Sequence, residues 1–349
     1  MTSLGDQLTA LAREAPMPAV AVVVFTPDER LAEVVHGVAD LGTGRPARVA
    51  SWWDLASLTK VLVTVPEVLD LVARQRIGLD QPLHAAWPAA RHAPFAAATV
   101  AQLLSYDAGL PATVPFFTGL AGRDAIVEAA LRTRLDRPVG SGAVYSDVSF
   151  VVLGAMVEAL TGRSLAAAAL ERSGLRYPPL PGAAVATEHC AWRDRLITGE
   201  VHDENAAAMG GVAGHAGAFA TIGLLARTGQ DWLAERVTTA ELHRAVRRQW
   251  SSNGDGERFG LGWWLTPTRA LGGPSAGPAG YGMSGFVGNR IWLEPERGYG
   301  VAVLSNRIHP VRADREPFTA WCARLLDLVA AAVRIRSPAP TPPHPTPGR

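Results

Sequence analysis

Lys60 is the only lysine among 33 basic residues; every other one is arginine. Guanidinium stays protonated in proteins, whereas an ammonium can be made neutral by burial or a neighbouring charge, so a site that must take up a proton cannot use arginine. Ser57 precedes this lysine by three residues in Ala56-Ser57-Leu58-Thr59-Lys60. On a helix the two side chains share a face, which brings an amine to a hydroxyl that is a weak nucleophile until a base takes its proton. Ser57 is therefore the candidate nucleophile and Lys60 its candidate base. The backbone N–H of Ser57, at a helix N-terminus, is a candidate oxyanion donor. The competing reading is an N-cap serine followed by a solvated lysine.

Two further groups extend the chemistry. Tyr145-Ser146-Asp147 follows a glycine-containing loop and precedes a helical pattern. Tyr145 can share a proton with Lys60 and act as base, then acid, or it is a core residue beside an N-cap carboxylate. Gly282-Met283-Ser284-Gly285-Phe286 leads into a strand pattern. Its small residues let a ligand approach the strand edge, and the Phe286 N–H is the candidate second oxyanion donor. Asp147, Met283, Ser284 and Gly285 are the candidate substrate-binding residues.

Other chemistries are excluded or disfavoured. The G-x-G-x-x-G string from Gly280 to Gly285 is followed by a strand pattern instead of a helix, so it is not a dinucleotide fingerprint. Lys60 lacks the glycines of a P-loop. His189, His202, Asp203, Glu204 and His215 lack H-E-x-x-H spacing and read as surface or hydrogen-bonding groups, so neither metal nor cofactor is expected. Cys190 and Cys322 cannot build a disulfide framework and are expected to be buried thiols. A net charge of +1 with no Lys/Arg run argues against nucleic acid as a partner. No stretch approaches the roughly 18 uninterrupted apolar residues of a membrane span, and the start has no secretory pattern, so the cytoplasm is the expected compartment.

The elements that must position these groups follow from the pattern. With 48% apolar and 19% charged residues the chain is globular. Spacing predicts an amphipathic helix from Leu4 to Arg13, then strands from Ala19 to Phe25 and Leu31 to Val38 separated by Thr26-Pro27-Asp28-Glu29. Helical spacing runs from Ser57 to Arg74, with a kink or break at Pro66. Val100 to Leu104, Arg123 to Leu135 and Val148 to Leu160 read as helices. The chain becomes irregular after Pro178-Pro179, and a short helix starts at Ile222. Strands return from Asn289 to Leu293 and Tyr299 to Ser305, followed by a helix from Phe318 to Val333. Strands at both ends around helices predict an α/β (α+β) fold, with one antiparallel sheet built from both chain ends, covered by terminal helices and carrying an inserted all-helical domain. The expected division is 1–75 with 205–336 for the sheet domain, 76–204 for the helical domain, and 337–349 for a disordered Pro-rich tail.

The order and context of the three groups resemble the serine β-lactamase and penicillin-binding-protein family, especially its class C and esterase-like branch. Ala56-Ser57-Leu58-Thr59-Lys60 is similar to the branch's nucleophile motif, Tyr145-Ser146-Asp147 to its Tyr-x-Asn motif, and Met283-Ser284-Gly285 to its Lys/His-Thr/Ser-Gly triad. Leu103 to Leu110 and the glycine-rich stretch from Gly210 to Gly217 agree with the same branch. The resemblance implies the β-lactamase/transpeptidase fold and an acyl-enzyme on Ser57. Two positions depart from it. Asp147 stands for asparagine, and Met283 stands for the usual Lys or His, which a thioether cannot replace as a clamp for a substrate carboxylate. The expected function is hydrolysis of an ester, amide or other small-molecule acyl donor. The alternatives are an ATP-independent transacylase with an amine or alcohol acceptor, and a catalytically silent ligand-binding protein.

Overall fold

The computed structural model describes residues 2–336 except 269, 270, 272 and 313; the tail predicted from 337 to 349 lies outside the described residues. Helix α1 (Leu4–Arg13) starts at a capping box in which Ser3 Oγ accepts from the Asp6 N–H at 3.1 Å and the Asp6 carboxylate accepts from the Ser3 N–H at 3.3 Å. Its buried face is Leu4, Leu8 and Leu11, as the spacing predicts. Strand β1 (Ala19–Phe25) pairs antiparallel with β2 (Arg30–Asp40) on one side and with the strand Tyr299–Ser305 on the other, placing Val22 opposite both Val34 and Val303. Both chain ends therefore build one sheet. Among the described residues it has nine strands, continuing through Asn289–Glu294 and Tyr281–Gly285 to three two-residue strands at the far edge.

Every residue of β1 is buried because helices cover both faces. Val20, Val22 and Val24 pack with α1 and with Phe318, Trp321 and Leu325 of the last helix (Glu316–Arg336). Ala21, Val23 and Phe25 turn to the main core, where Ile222–Leu233 lies against the sheet. This period-two division is what a strand between two helical layers requires. The Trp321 indole N–H donates to the Leu11 carbonyl at 2.9 Å and ties the two terminal helices together.

Three expectations need correction. The Ser57–Arg74 stretch is not broken at Pro66. Lys60–Thr64 winds as a π-helical turn and runs directly into α2 (Val65–Ala73), with Pro66 in the first turn of α2, where its missing N–H costs least. The stretch after Pro178 is not wholly irregular: Ala186–Cys190 and Arg195–Thr198 form a hairpin. Its alternation is interrupted by a register shift, which hid it. The helix at Arg123 stops at Leu131 instead of Leu135. The helices Leu165–Ser173 and Ala240–Arg247 were not anticipated. Cys190 and Cys322 are buried free thiols.

Candidate active site

The turn before Ser57 is pinned by one buried carboxylate. Asp54 Oδ1 accepts from the Ala56 N–H and Oδ2 from the His202 N–H, both at 2.7 Å, and its carbonyl accepts from Asn289 Nδ2 at 2.5 Å. Ala56 is held at a φ of 46°, a left-handed conformation that a non-glycine residue adopts only under constraint from its surroundings. Gly285 permits the third group to close on this turn: a Cβ there would lie 2.6 Å from the Leu55 carbonyl oxygen. From sequence, the small residues of this edge are expected to admit a ligand; at Gly285 it is the Leu55 carbonyl that comes close.

Lys60 follows on the π turn and is completely buried. A buried ammonium needs its hydrogens satisfied. Lys60 Nζ donates to Ser57 Oγ at 3.0 Å and to the His215 carbonyl at 2.9 Å, and stands 2.6 Å from Asp147 Oδ1. The carbonyl reaches it because Gly154 and Gly214 touch, each leaving no room for a Cβ on the other, so the glycine-rich loop runs directly against the helix α3 (Asp147–Thr161). Thr64 Oγ1 donates to the Gly214 carbonyl at 2.6 Å and secures the same loop.

Tyr145 enters from the loop ahead of α3. Its ring lies 4.8 Å from that of Tyr106, whose hydroxyl is fixed by donating to the Gly262 carbonyl at 2.9 Å. Burial, and then the nearby Asp147 charge, push the Tyr145 hydroxyl well above its ordinary pKa. Tyr145 is thus a neutral phenol at physiological pH, able to donate a proton. Ser146 caps α3, accepting from the Ser149 N–H, and Asp147 is the first helical residue, aimed at Lys60 and relieved of the capping role that the sequence offered it.

These groups open onto a cavity of about 490 Å³ lined by Ser57, Tyr145, Asp147, Ser284, Trp264 and Phe286, among others. Met283 and Gly285 do not line it. Met283 is buried in the main core, because side chains alternate along the strand and only Ser284 turns outward. Trp263 and Tyr281 are likewise core residues, stacked edge-to-face at 5.1 Å. His202 stacks on Phe286 at 5.7 Å and hydrogen-bonds Glu188 at 2.8 Å. Burial acts to raise the Glu188 carboxyl, but His202 and Arg312 outweigh it and hold it at about 2. His215 Nε2 hydrogen-bonds Asp203 Oδ1 at 2.8 Å. Both histidines take hydrogen-bonding roles.

The feature that sequence reasoning missed is cationic. Arg315, just ahead of the last helix, lines the cavity and donates through Nη2 to Ser284 Oγ at 3.0 Å; Arg312 lines it too. A positive group therefore stands beside the third motif although Met283 does not supply it. Nothing in the sequence separates these two arginines from the others, since they reach the site from a segment some thirty residues further along. Met283 therefore gives no ground against a carboxylate-bearing substrate, since Arg315 supplies the cation that Met283 lacks.

The chain belongs to the β-lactamase family of serine hydrolases: the family model "Beta-lactamase" matches residues 6–323. It is 27% identical to an N-acetylmuramyl-L-alanine amidase of Bacillus subtilis (strain 168), over 89% of this chain and 82% of that protein. It is 30% identical to a protein of Escherichia coli (strain K12) named as a D-alanyl-D-alanine carboxypeptidase, over 77% of this chain and 72% of that one. A penicillin-binding protein homologue from Caulobacter crescentus shares the fold, with a TM-score of 0.71 at 18% identity, over 95% of this chain and 98% of that chain.

Proposed function

We propose that this protein is a serine acyl-enzyme hydrolase whose donor carries a carboxylate close to the scissile ester or amide bond. The observation that supports it is the contact of Ser57 Oγ with Lys60 Nζ at 3.0 Å on the floor of the cavity, with Tyr145 beside them. Ser57 Oγ attacks the acyl carbon and the oxyanion is received by the N–H groups of Ser57 and Phe286. Tyr145 supplies the leaving group's proton, and water then releases the acyl group. Ser284 and Arg315 receive the carboxylate, a geometry that a guanidinium and a hydroxyl suit. The names of the curated relatives, an amidase and a carboxypeptidase, agree with an amide donor.

The test is mass spectrometry of the intact protein during turnover of a p-nitrophenyl ester and of a penicillin-like probe. An adduct that maps to Ser57 supports the reading, and an adduct on another residue refutes it. Supplying amines and alcohols during turnover separates hydrolysis from transfer. Trp264 and Phe286 form apolar walls that could hold an acceptor, and a transacylase would show its ester or amide product rising with acceptor at the expense of free acid.

Arg315→Ala measures the donor class. The variant is expected to lower kcat/KM for a carboxylate-bearing donor by about 10- to 100-fold while leaving a neutral ester within about twofold, since a charge-assisted hydrogen bond contributes about 1.5–3 kcal/mol. Equal loss on both donors would remove the carboxylate from the proposal.

A further inference from the structure

Of the three groups around Lys60 Nζ, the Ser57 hydroxyl and the His215 carbonyl accept its hydrogen bonds and are neutral, and only Asp147, its ion-pair partner at 2.6 Å, is a carboxylate. An amide at this position could orient the ammonium but not take its proton, whereas a carboxylate does both. The Asp147 N–H donates to the Ala112 carbonyl at 2.8 Å, so the residue is held from its backbone while the carboxylate faces the lysine. Lys60 Nζ thus stands between the Ser57 hydroxyl and the Asp147 carboxylate, placed to receive a proton from the one as it passes one of its own to the other.

Resting on the acyl-enzyme reading of Ser57, the geometry points to Asp147 as a catalytic residue, the terminal proton acceptor of a Ser57–Lys60–Asp147 relay. In acylation the Ser57 O–H bond breaks and its proton moves to Lys60 Nζ, while a Lys60 N–H proton moves to Asp147 Oδ1. The freed electron pair on Oγ forms the bond to the acyl carbon and the carbonyl π pair becomes the oxyanion. When the tetrahedral adduct collapses, the leaving group departs with its bonding pair and takes the Tyr145 proton, and the proton stored on Asp147 replaces it. Lys60 ends as it began, an ammonium. Deacylation repeats the sequence with water in place of Ser57. The titratable or charged groups around the pair are Tyr145, Tyr106, Asp203 with its partner His215, and, along the cavity, His202, Glu204, Arg312 and Arg315. Burial holds both phenols well above their ordinary values. Burial acts to raise Asp203, but His215 outweighs it and holds the carboxyl low. A difference in pH dependence between two proteins that vary only at position 147 thus reports on the relay.

Asp147→Asn keeps the shape and removes the proton acceptor. Its kcat/KM for a slow, neutral ester is expected to fall at least about 100-fold near pH 7. The acid limb of its pH–rate profile is expected to move up by more than about one unit, because the base that remains is an amine and not a carboxylate. An unmoved acid limb overturns the relay whatever the absolute rate. A second reading uses the wild-type protein and does not depend on the variant's folding: in H₂O–D₂O mixtures kcat/KM should follow a curve that bows, as two protons in flight demand, and a straight line overturns the proposal. Failure of the acyl-enzyme reading looks different, as a wild-type protein with no adduct on Ser57.

Discussion

Ser57→Ala is expected to lower kcat by about 10⁴-fold or more, with donor KM little changed and no covalent adduct at any time point. The size of the effect follows from what the hydroxyl does. In the proposed acyl-enzyme mechanism it is the only group that becomes bonded to substrate, and Lys60, Tyr145 and Asp147 have nothing to activate without it. On that mechanism what remains is the oxyanion N–H pair, which still binds and polarises the donor for attack by water. The substitution removes one hydrogen bond to Lys60 but leaves its contacts with Asp147 and the His215 carbonyl intact, so the fold should survive. Steady-state turnover, circular dichroism and intact-protein mass spectrometry check it together. A folded variant with wild-type turnover would assign the nucleophile elsewhere.

Lys60→Arg carries the second large expectation, a loss of about 10³-fold in kcat, within the range spanned by general acid–base catalysts. Arginine keeps the charge and the pairing with Asp147. It cannot pass a proton on, because a guanidinium is not deprotonated in proteins. It is also larger, and Lys60 is completely enclosed, with its Nζ 5.1 Å from the Tyr145 ring and 5.8 Å from the Phe150 ring. Thermal melting therefore accompanies the kinetics, and donor affinity is measured on the folded variant. A silent binding protein that uses the cleft for recognition predicts the opposite result: no turnover in the wild type and nearly unchanged ligand affinity in Lys60→Arg.

The elements with a strong single period were legible from sequence. Leu4, Leu8 and Leu11, the run from Ala19 to Phe25 and the strand from Tyr299 to Ser305 appear where expected, because a full helical stripe or an uninterrupted β-branched run has no competing way to bury itself. Short elements were not. The three two-residue strands at the sheet edge exist only because a neighbour offers hydrogen bonds, and the hairpin at Ala186 is disguised by its register shift. Pro66 predicted a kink or a break, and the chain runs from a π turn into the next helix without the break.

Within the site, residue type and spacing by themselves determined the nucleophile candidate and its amine: a lone lysine three residues after a serine is a local fact, and one helical turn joins them whatever the rest of the chain does. The tyrosine and the strand-edge serine were readable from the order of the motifs. Tertiary structure alone decided what surrounds them. Asp147 faces Lys60, and not the helix terminus, because Ser146 takes the cap. Met283 is turned into the core by strand alternation, and the positive charge comes instead from Arg315, carried to Ser284 by the packing of the last helix on the sheet. Charges act through space over a few ångströms, and a chain does not reveal which of its distant residues will be brought that close until it has folded.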